Sequence, residues 1–163
     1  MNNLIEITNL KKKFKLSNNE ELLIIDKLDL NISRSSITSI IGPSGSGKST
    51  LLNIIGLLDS DFIGNYIFEG ESVNNMKSNS LSEIRNKKIG FVHQFFHLIP
   101  ELSVLENVIL PALIYSNRVL SINSEAIKLL EIFEIIDKKN IKPNKLSGGE
   151  QQRVAIARSL INK

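Results

Sequence analysis

The sequence predicts an α/β fold in which a small antiparallel sheet comes first, followed by a strand, a glycine-rich loop and a helix. Three short runs rich in β-forming residues predict the sheet: residues 4–8, 22–25 and 28–32, with a turn at 17–20. A further apolar, β-branched run at residues 37–41 leads into the glycine-rich loop, and residues 50–58 have helical character. This order of strand, loop and helix is typical of α/β proteins that bind phosphate groups.

The remainder of the chain is predicted to be mainly helical, with two more strands at residues 66–68 and 89–92. Three capping boxes, each a serine followed three residues later by a glutamate, predict helix starts at Ser80, Ser103 and Ser147. Residues 125–136 form an amphipathic stretch with Ile127, Leu130 and Phe133 on one stripe. A polar connector at residues 138–145 precedes the last helix, which is predicted to run to the end of the chain.

Composition indicates an ordinary folded domain and excludes several classes. The 163 residues are 42% hydrophobic and 23% charged, and the absence of cysteine excludes disulfides and thiolate zinc sites. A net charge of +3 is too small to predict a nucleic-acid partner. No signal peptide is recognised, and no apolar run approaches the roughly 18–20 residues of a membrane helix, so any membrane role is expected to be peripheral. The densest basic run is expected to be a solvated strand or loop edge: Lys11, Lys12, Lys13 and Lys15.

The glycine-rich loop satisfies the P-loop pattern of Gly, four residues, then Gly-Lys-Ser/Thr. It consists of Gly42, Pro43, Ser44, Gly45, Ser46, Gly47, Lys48, Ser49 and Thr50. The glycines let backbone N–H groups wrap around phosphate oxygens at the positive end of a helix. Lys48 is expected to reach the β- and γ-phosphates, Ser49 to ligate Mg²⁺ and Thr50 to bond an inner phosphate. The loop alone leaves kinases, GTPases and ATPases open.

A second motif decides between these classes. It consists of Leu146, Ser147, Gly148, Gly149, Glu150 and Gln151 at the start of the last predicted helix. Because Ser147 caps the helix and the next two residues are glycines, a phosphate could approach the helix end with no side chain in the way. At this separation from the P-loop, the motif resembles the signature of ABC ATPases. In that family the phosphate belongs to ATP held by a second subunit, so the resemblance implies a homodimer of the full-length form.

Two further positions match the family. Gln94 follows the strand predicted for residues 89–92 and matches the Q-loop glutamine, which in the family contacts Mg²⁺ and the attacking water and senses the membrane partner. Phe14 stands where the family places an aromatic residue that stacks on adenine. The resemblance therefore implies ATP and Mg²⁺ as cofactors, Lys48 and Gln94 as catalytic residues, and Ser49 and Gln94 as Mg²⁺ contacts.

The resemblance also implies an organisation. Residues 1–163 are expected to form a single partial ABC ATPase domain with a P-loop NTPase core, an N-terminal antiparallel β subdomain and a helical subdomain, incomplete at the C-terminus. The β subdomain and P-loop core are expected at 1–93, the Q-loop and helical subdomain at 94–145, and the signature helix at 146–163. The family's Walker B aspartate, catalytic glutamate and switch histidine all follow that helix. This 163-residue chain is therefore expected to bind ATP but to be deficient in hydrolysis.

Four residues resemble a Walker B aspartate or a pair of metal ligands but are not expected to act as such. Asp26 follows the apolar run 22–25 as a Walker B aspartate would, but it precedes the P-loop and is expected in a turn. Asp137 also follows apolar residues, but it comes before the signature helix, whereas the family's Walker B aspartate comes after it. His93 and His97 are four residues apart, which aligns metal ligands on a helix, whereas Gln94 begins a loop. A metal site at these two histidines is therefore not expected.

Residues 91–113 are similar to the lipoprotein-releasing ATPases and their macrolide-export and cell-division relatives. The first hypothesis is therefore an ATPase subunit that drives a membrane permease from the cytoplasmic face of the cell membrane. Its docking face is expected at residues 94–102, with Phe95, Phe96, Leu98 and Ile99 exposed. The alternative is a nucleotide-binding interaction module without hydrolysis. A DNA-repair or translation ATPase is disfavoured because no coiled-coil insertion, zinc cysteines or second cassette is found.

Overall fold

The computed structural model describes residues 3–17, 19–114 and 119–162. The chain folds into two compact units, Met1–Ser82 and Glu83–Lys163. The first unit contains strands β1 (Asn3–Lys15), β2 (Glu21–Ser33), β3 (Ile63–Phe68) and β4 (Glu71–Ser72), with helix α1 (Lys48–Ile55). Helix α2 (Ser78–Lys88) contains the boundary. The second unit contains α3 (Val104–Leu113), α4 (Val119–Ile132) and α5 (Gly148–Leu160), with 3-10 turns at Ile136–Lys138 and Pro143–Lys145.

The predicted antiparallel sheet is confirmed, and its strand order is β2-β1-β3-β4. Ile7 of β1 lies opposite Leu30 on one side and Tyr66 on the other. The two runs predicted as separate strands are one continuous strand, β2. The expectation that Asp26 lies in a turn was therefore wrong: it lies within β2, beside Lys27, whose φ of 49° accompanies an irregular register. A bulge absorbs the break in alternation that the sequence presents as a turn.

The sheet and α1 share the apolar core of the first unit. Alternate residues of β1 are buried, and Leu51 and Ile54 of α1 are buried as well. The Tyr66 hydroxyl donates a 2.7 Å hydrogen bond to the Ile55 carbonyl at the end of α1. Burial raises the pKa of Tyr66, so the hydroxyl stays a donor throughout the physiological range. This bond fixes the end of α1 to β3.

Two predicted strands do not form. Residues 37–41 are irregular, with Ile37 and Ile41 99% and 93% exposed, and residues 89–92 are irregular as well. A strand requires a neighbour that accepts its backbone hydrogen bonds, and none of the described strands pairs with either run. Instead, Gly90 closely approaches α5: a Cβ atom on Gly90 would lie 2.3 Å from the Ser159 carbonyl oxygen.

Three helices form the core of the second unit. Buried residues from α3, α4, α5 and the segments between them make one apolar cluster, including Val104, Val108, Ala126, Leu130, Ile135 and Val154. The capping boxes at Ser103 and Ser147 are confirmed. The box at Ser80 was wrong, because α2 already begins at Ser78 and Ser80 lies inside it. Helix α4 begins earlier and ends earlier than predicted, so Phe133 follows it rather than lying on its stripe.

The helix after the glycine-rich loop also starts earlier than predicted, at Lys48. None of the helices in the described ranges is long and apolar enough to cross a membrane. The grouping of the chain into 1–93, 94–145 and 146–163 stays a prediction.

Candidate nucleotide-binding site

The glycine-rich loop joins the irregular segment at 37–41 to α1, and Lys48 is the first residue of that helix. The Lys48 Nζ atom donates hydrogen bonds to the carbonyl oxygens of Gly42 (3.0 Å) and Pro43 (2.6 Å), at the opposite end of the loop. The ammonium group is thus folded back across its own loop. Phosphate oxygens are stronger acceptors than carbonyls, so a bound polyphosphate could take over these hydrogen bonds.

One glycine is required by the shape of this loop. Gly47 has a φ of 86°, and a Cβ atom there would lie 2.9 Å from Ile24 Cγ2 in β2. A Cβ atom on Gly42 would meet only the Ser46 side chain, at 2.9 Å from its hydroxyl oxygen. A side chain at Gly47 would distort the backbone whose N–H groups could bind an anion. The chain therefore has the sequence and local shape of a phosphate-binding P-loop.

Ser49 and Thr50, which carry hydroxyl groups, follow Lys48 in the first turn of α1. Ser49 is exposed and Thr50 is half-buried. Mg²⁺ in nucleotide sites keeps several waters and takes its other ligands from substrate phosphates and one or two protein oxygens. An exposed serine hydroxyl at a P-loop helix start fits that donor set. Among residues 3–17, 19–114 and 119–162, no group of three or more His, Cys, Asp or Glu side chains is arranged to hold a metal by itself.

Phe14 lines an open cavity of about 360 Å³ in the first unit. The ring is 43% exposed, so it is available to a ligand rather than packed in the core. The other lining residues come from β1, from the start of β2 and from the segment before β3: Lys11, Lys13, Lys15, Glu21, Asp61, Phe62 and Ile63. A cavity with aromatic walls and charged edges suits a planar, polar ligand.

Lys12 contradicts the expectation that the basic run is solvated. Lys12 is only 2% exposed, and its ammonium group pairs with the carboxylates of Asp59 (2.9 Å) and Asp61 (3.2 Å). Burial by itself would lower the pKa of Lys12, but the two aspartates outweigh it and raise the pKa. Sequence reasoning missed this group, although a signal was present: Leu10, Lys12 and Phe14 occupy alternate positions of a strand and so share one face.

Gln94 is exposed, in a turn of the second unit. The turn is held by Arg158 of α5, whose guanidinium donates to the carbonyl oxygens of Phe96 (2.6 Å) and His97 (2.7 Å). Phe96 and His97 both have positive φ, 59° and 47°, which is unfavourable for side chains of this size. Arg158 therefore stabilises a strained backbone close to Gln94. Nothing in the sequence alone distinguished Arg158 from other arginines of the last helix.

The histidines that flank Gln94 lie close together. The rings of His93 and His97 are 4.6 Å apart at their centroids, and Phe91 stacks on His93 at the same distance. Burial lowers the pKa of His93, and the neighbouring His97 and Arg158 lower it further. The expectation of no metal at this pair stays a prediction.

The apolar face expected at residues 94–102 is smaller than predicted. Phe95 is 77% exposed and Ile99 is 36% exposed. Leu98, by contrast, packs against the helical core, and Phe96 is half-buried. The alternation of exposed and packed side chains leaves Phe95 as the most prominent apolar group of this segment.

The signature segment starts α5 with a complete capping box. The Glu150 N–H donates to the Ser147 hydroxyl (3.4 Å), while a Glu150 carboxylate oxygen accepts from the Ser147 N–H (2.7 Å). The first N–H groups of a helix have no partner within it, and here they belong to the exposed Gly148 and Gly149. A Cβ atom on either glycine would meet nothing within 4 Å. The helix end is therefore open to an approaching group.

Two contacts anchor this segment. Lys138 pairs with Glu150, and this ion pair together with the Ser147 hydrogen bonds lowers the pKa of Glu150 to about 2. The Gln151 amide donates to the carbonyl oxygens of Pro143 (3.1 Å) and Leu146 (3.2 Å), and Leu146 itself is buried. The carboxylate of Glu150 is thus occupied by the helix start and by Lys138.

A P-loop followed by a serine-capped Gly-Gly helix start defines a nucleotide-binding protein of the ABC class. The family model described as ABC transporter matches residues 25–163. The chain belongs to the ABC transporter family.

Several relatives are lipoprotein-releasing system ATP-binding proteins LolD. The protein from Bacteroides thetaiotaomicron is 48% identical over 141 residues, which are 86% of this chain and 65% of that protein. The protein from Wigglesworthia glossinidia brevipalpis is 45% identical over 99% of this chain and 71% of its own length. The resemblance of the chain to lipoprotein-releasing ATPases is thereby confirmed. The chain spans about two thirds of the length of these relatives.

A solved structure of MJ0796, described as a dimeric bacterial ABC transporter cassette, matches with a TM-score of 0.89 and 42% identity, over 97% of this chain and 69% of that chain. A second structure of the same protein, in a post-hydrolysis state bound to ADP and Pi, matches equally well. The α/β fold of an ABC ATPase is confirmed for this chain.

Proposed function

We propose that this chain is the ATP-binding part of an ABC transporter subunit that couples ATP binding and hydrolysis to a membrane permease. The observation that carries the proposal is the P-loop, whose Lys48 lies across the loop and whose Gly47, at positive φ, leaves no room for a side chain. The relatives named above are lipoprotein-releasing proteins, which supports lipoprotein release as the transport process.

The proposed site residues fall into two groups. In the first unit, the residues from Gly42 to Thr50 hold the triphosphate, Lys48 stabilises charge on the transferred phosphoryl group, and Phe14 stacks on the base. Ser49 of this unit and Gln94 of the second unit are the proposed Mg²⁺ contacts, and the ion would supply charge neutralisation to the phosphates. In the second unit, Gln94 orients water, and the segment from Leu146 to Gln151 binds ATP held by another subunit.

The proposed partners are an integral-membrane permease and a second ATPase subunit. The dimeric state of the MJ0796 cassette supports the latter. The open helix start at Gly148 and Gly149 supports it too, because exposed N–H groups require an acceptor from outside their own helix. Phe95, the most exposed aromatic residue of the Gln94 segment, is the proposed permease contact. The corresponding location is peripheral, on the cytoplasmic face of the cell membrane, with no nucleic acid involved.

The central test is the affinity for Mg-ATP, measured by titration calorimetry on the wild type and on Lys48→Ala. Losing a charge-assisted contact with phosphate costs about 1.5–3 kcal/mol, so affinity should fall by roughly ten- to 150-fold. Lys77→Ala provides the matched control, because Lys77 is a lysine of the same unit outside the loop. A folded wild type without measurable affinity, or equal losses in both variants, would refute nucleotide binding at this loop.

The alternative of nucleotide binding without hydrolysis gains no support from the relatives. For the 163-residue polypeptide, deficient hydrolysis stays a prediction. Release of phosphate at a rate that Lys48→Ala abolishes would contradict that prediction while supporting the proposed site.

A further inference from the structure

We propose that Lys12 is a positioning residue for the nucleotide base: it fixes Phe14 at the wall of the cavity and ties that wall to the segment that follows the P-loop helix. The proposal rests on the proposed function, because it assigns the cavity beside Phe14 to the base of a bound nucleotide. Lys12 itself does not line the cavity. It acts through Phe14.

The contact between the two side chains is direct. The Lys12 Nζ atom lies 4.9 Å from the centroid of the Phe14 ring. The two residues are two positions apart in β1, Lys12 buried and Phe14 exposed. A cation at this distance from a ring face is attracted by the ring's electron density, and the attraction restrains the ring's orientation.

The same ammonium also contacts a second segment that lines the cavity. It pairs with the carboxylates of both Asp59 and Asp61 and also donates to the Asp61 main-chain carbonyl. Asp61, Phe62 and Ile63 line the cavity, and Asp59 lies four residues beyond the end of α1. The Asp61 N–H donates in turn to the Asp59 carboxylate (2.9 Å), which closes this network.

This arrangement explains why a lysine occupies a buried strand position. An unpaired buried ammonium is costly, whereas an apolar side chain at this position would carry no such penalty. Only a long cation can contact the Phe14 ring, Asp59 and Asp61 at once. Because the Asp59 N–H donates to the carbonyl oxygen of Asn53 in α1 (3.2 Å), the Lys12 network also connects the cavity wall to the P-loop helix.

The test compares two ligands that share the phosphate part but differ in the base: Mg-ATP and inorganic tripolyphosphate with Mg²⁺. Affinities are measured for the wild type, Phe14→Ala, Lys12→Met and the double variant. Phe14→Ala should weaken ATP binding on the order of tenfold, through loss of stacking. Lys12→Met should weaken it about fivefold, and neither change should alter tripolyphosphate binding by more than about twofold. The double variant should bind ATP no more weakly than Phe14→Ala.

Three further variants make the comparison specific. Lys12→Arg keeps a cation that can pair with both aspartates and contact the Phe14 ring, so its ATP affinity should be closer to that of the wild type than the affinity of Lys12→Met. Asp61→Asn removes one of the two carboxylates that pair with Lys12. The Asp61 side chain is 95% exposed, so folding should be preserved, and about a twofold loss of affinity is expected for ATP only. Lys27→Met, the same substitution at an exposed position of β2, should change neither affinity.

The outcomes separate the inference from the proposed function. If Lys12→Met weakens the binding of ATP and tripolyphosphate equally, its role is merely structural and the inference is overturned. The inference is also overturned if the fold-loss of ATP affinity in the double variant equals the product of the two single-variant losses. If the wild type binds tripolyphosphate but Phe14→Ala leaves ATP affinity intact, the base does not occupy this cavity, and the inference fails while the P-loop assignment stands. Binding of neither ligand by the wild type refutes the proposed function, and the inference with it.

Discussion

Arg158 offers the sharpest test of how the Gln94 turn is held. Arg158→Met keeps an unbranched apolar stem but removes both hydrogen bonds to the carbonyl oxygens of Phe96 and His97. A hydrogen bond from a charged group contributes about 1.5–3 kcal/mol, so two bonds give about 3–6 kcal/mol as an upper bound. Arg158 is half-buried and water can replace part of this, so a loss of about 2 kcal/mol is expected.

The assay is equilibrium unfolding in urea, followed by far-ultraviolet circular dichroism, since the chain has no tryptophan. With an m-value of about 2 kcal/mol/M, the midpoint should shift by about 1 M. The control is Arg153→Met, because Arg153 is exposed on the same helix, and its effect should stay within about 0.5 kcal/mol. Hydrogen exchange should also accelerate at residues 93–97, where the Phe96 N–H now donates to the His93 carbonyl (3.0 Å).

Two results would refute this reasoning. Equal shifts for Arg158→Met and Arg153→Met would mean that the two hydrogen bonds contribute nothing beyond what an exposed arginine does. Unchanged exchange at residues 93–97 in a destabilised Arg158→Met would mean that α5 is affected while the turn is not. In that case the positive φ angles of Phe96 and His97 are maintained by something other than Arg158.

Two more predictions concern the same unit. Asn107 is fully buried, and its side-chain amide accepts from the Ile99 N–H and donates to the Ile99 carbonyl oxygen. Asn107→Ala should therefore lower the free energy of unfolding in urea by about 3 kcal/mol. The control, Asn140→Ala at an exposed turn, should lower it by less than about 0.5 kcal/mol. The pKa of Glu150, about 2 against an ordinary 4.5, means that its stabilisation is present above about pH 4.5 and is lost as pH falls toward 2. Glu150→Gln should therefore lower the melting temperature at pH 7, with the difference from wild type disappearing near pH 2; a difference independent of pH would contradict this.

Local signals in the sequence predicted the parts of the fold that are locally determined. The glycine spacing from Gly42 to Gly47 and the capping boxes at Ser103 and Ser147 each act within a few residues, and the structure contains all of them. Strand formation at residues 37–41 and 89–92 could not be predicted in this way. Pairing depends on a distant neighbour, which periodicity does not specify.

The candidate site was predictable where residue types form a motif and not where they act through burial. Charge is the dominant signal in Lys11 to Lys13, so the pattern predicts a solvated basic run at Lys12. The burial of Lys12 depends on Asp59 and Asp61, which are nearly fifty residues away in sequence and close only after folding. The same holds for Arg158, whose carbonyl partners in the Gln94 turn lie some sixty residues earlier in the chain.

The close approach of Gly90 to Ser159 has a consequence for the mutational tolerance of the chain. Every single-nucleotide change of a glycine codon that alters the residue either introduces a Cβ atom or stops translation. At position 90 the Cβ atom would collide with the Ser159 carbonyl, which cannot move independently of α5. Gly148 and Gly149, which have open space around them, should instead accept alanine without loss of cellular abundance. A saturation library selected first on abundance and then on the proposed transport activity should therefore deplete Gly90 variants in the first selection. If Gly148 and Gly149 act as proposed, their variants should be depleted only in the second.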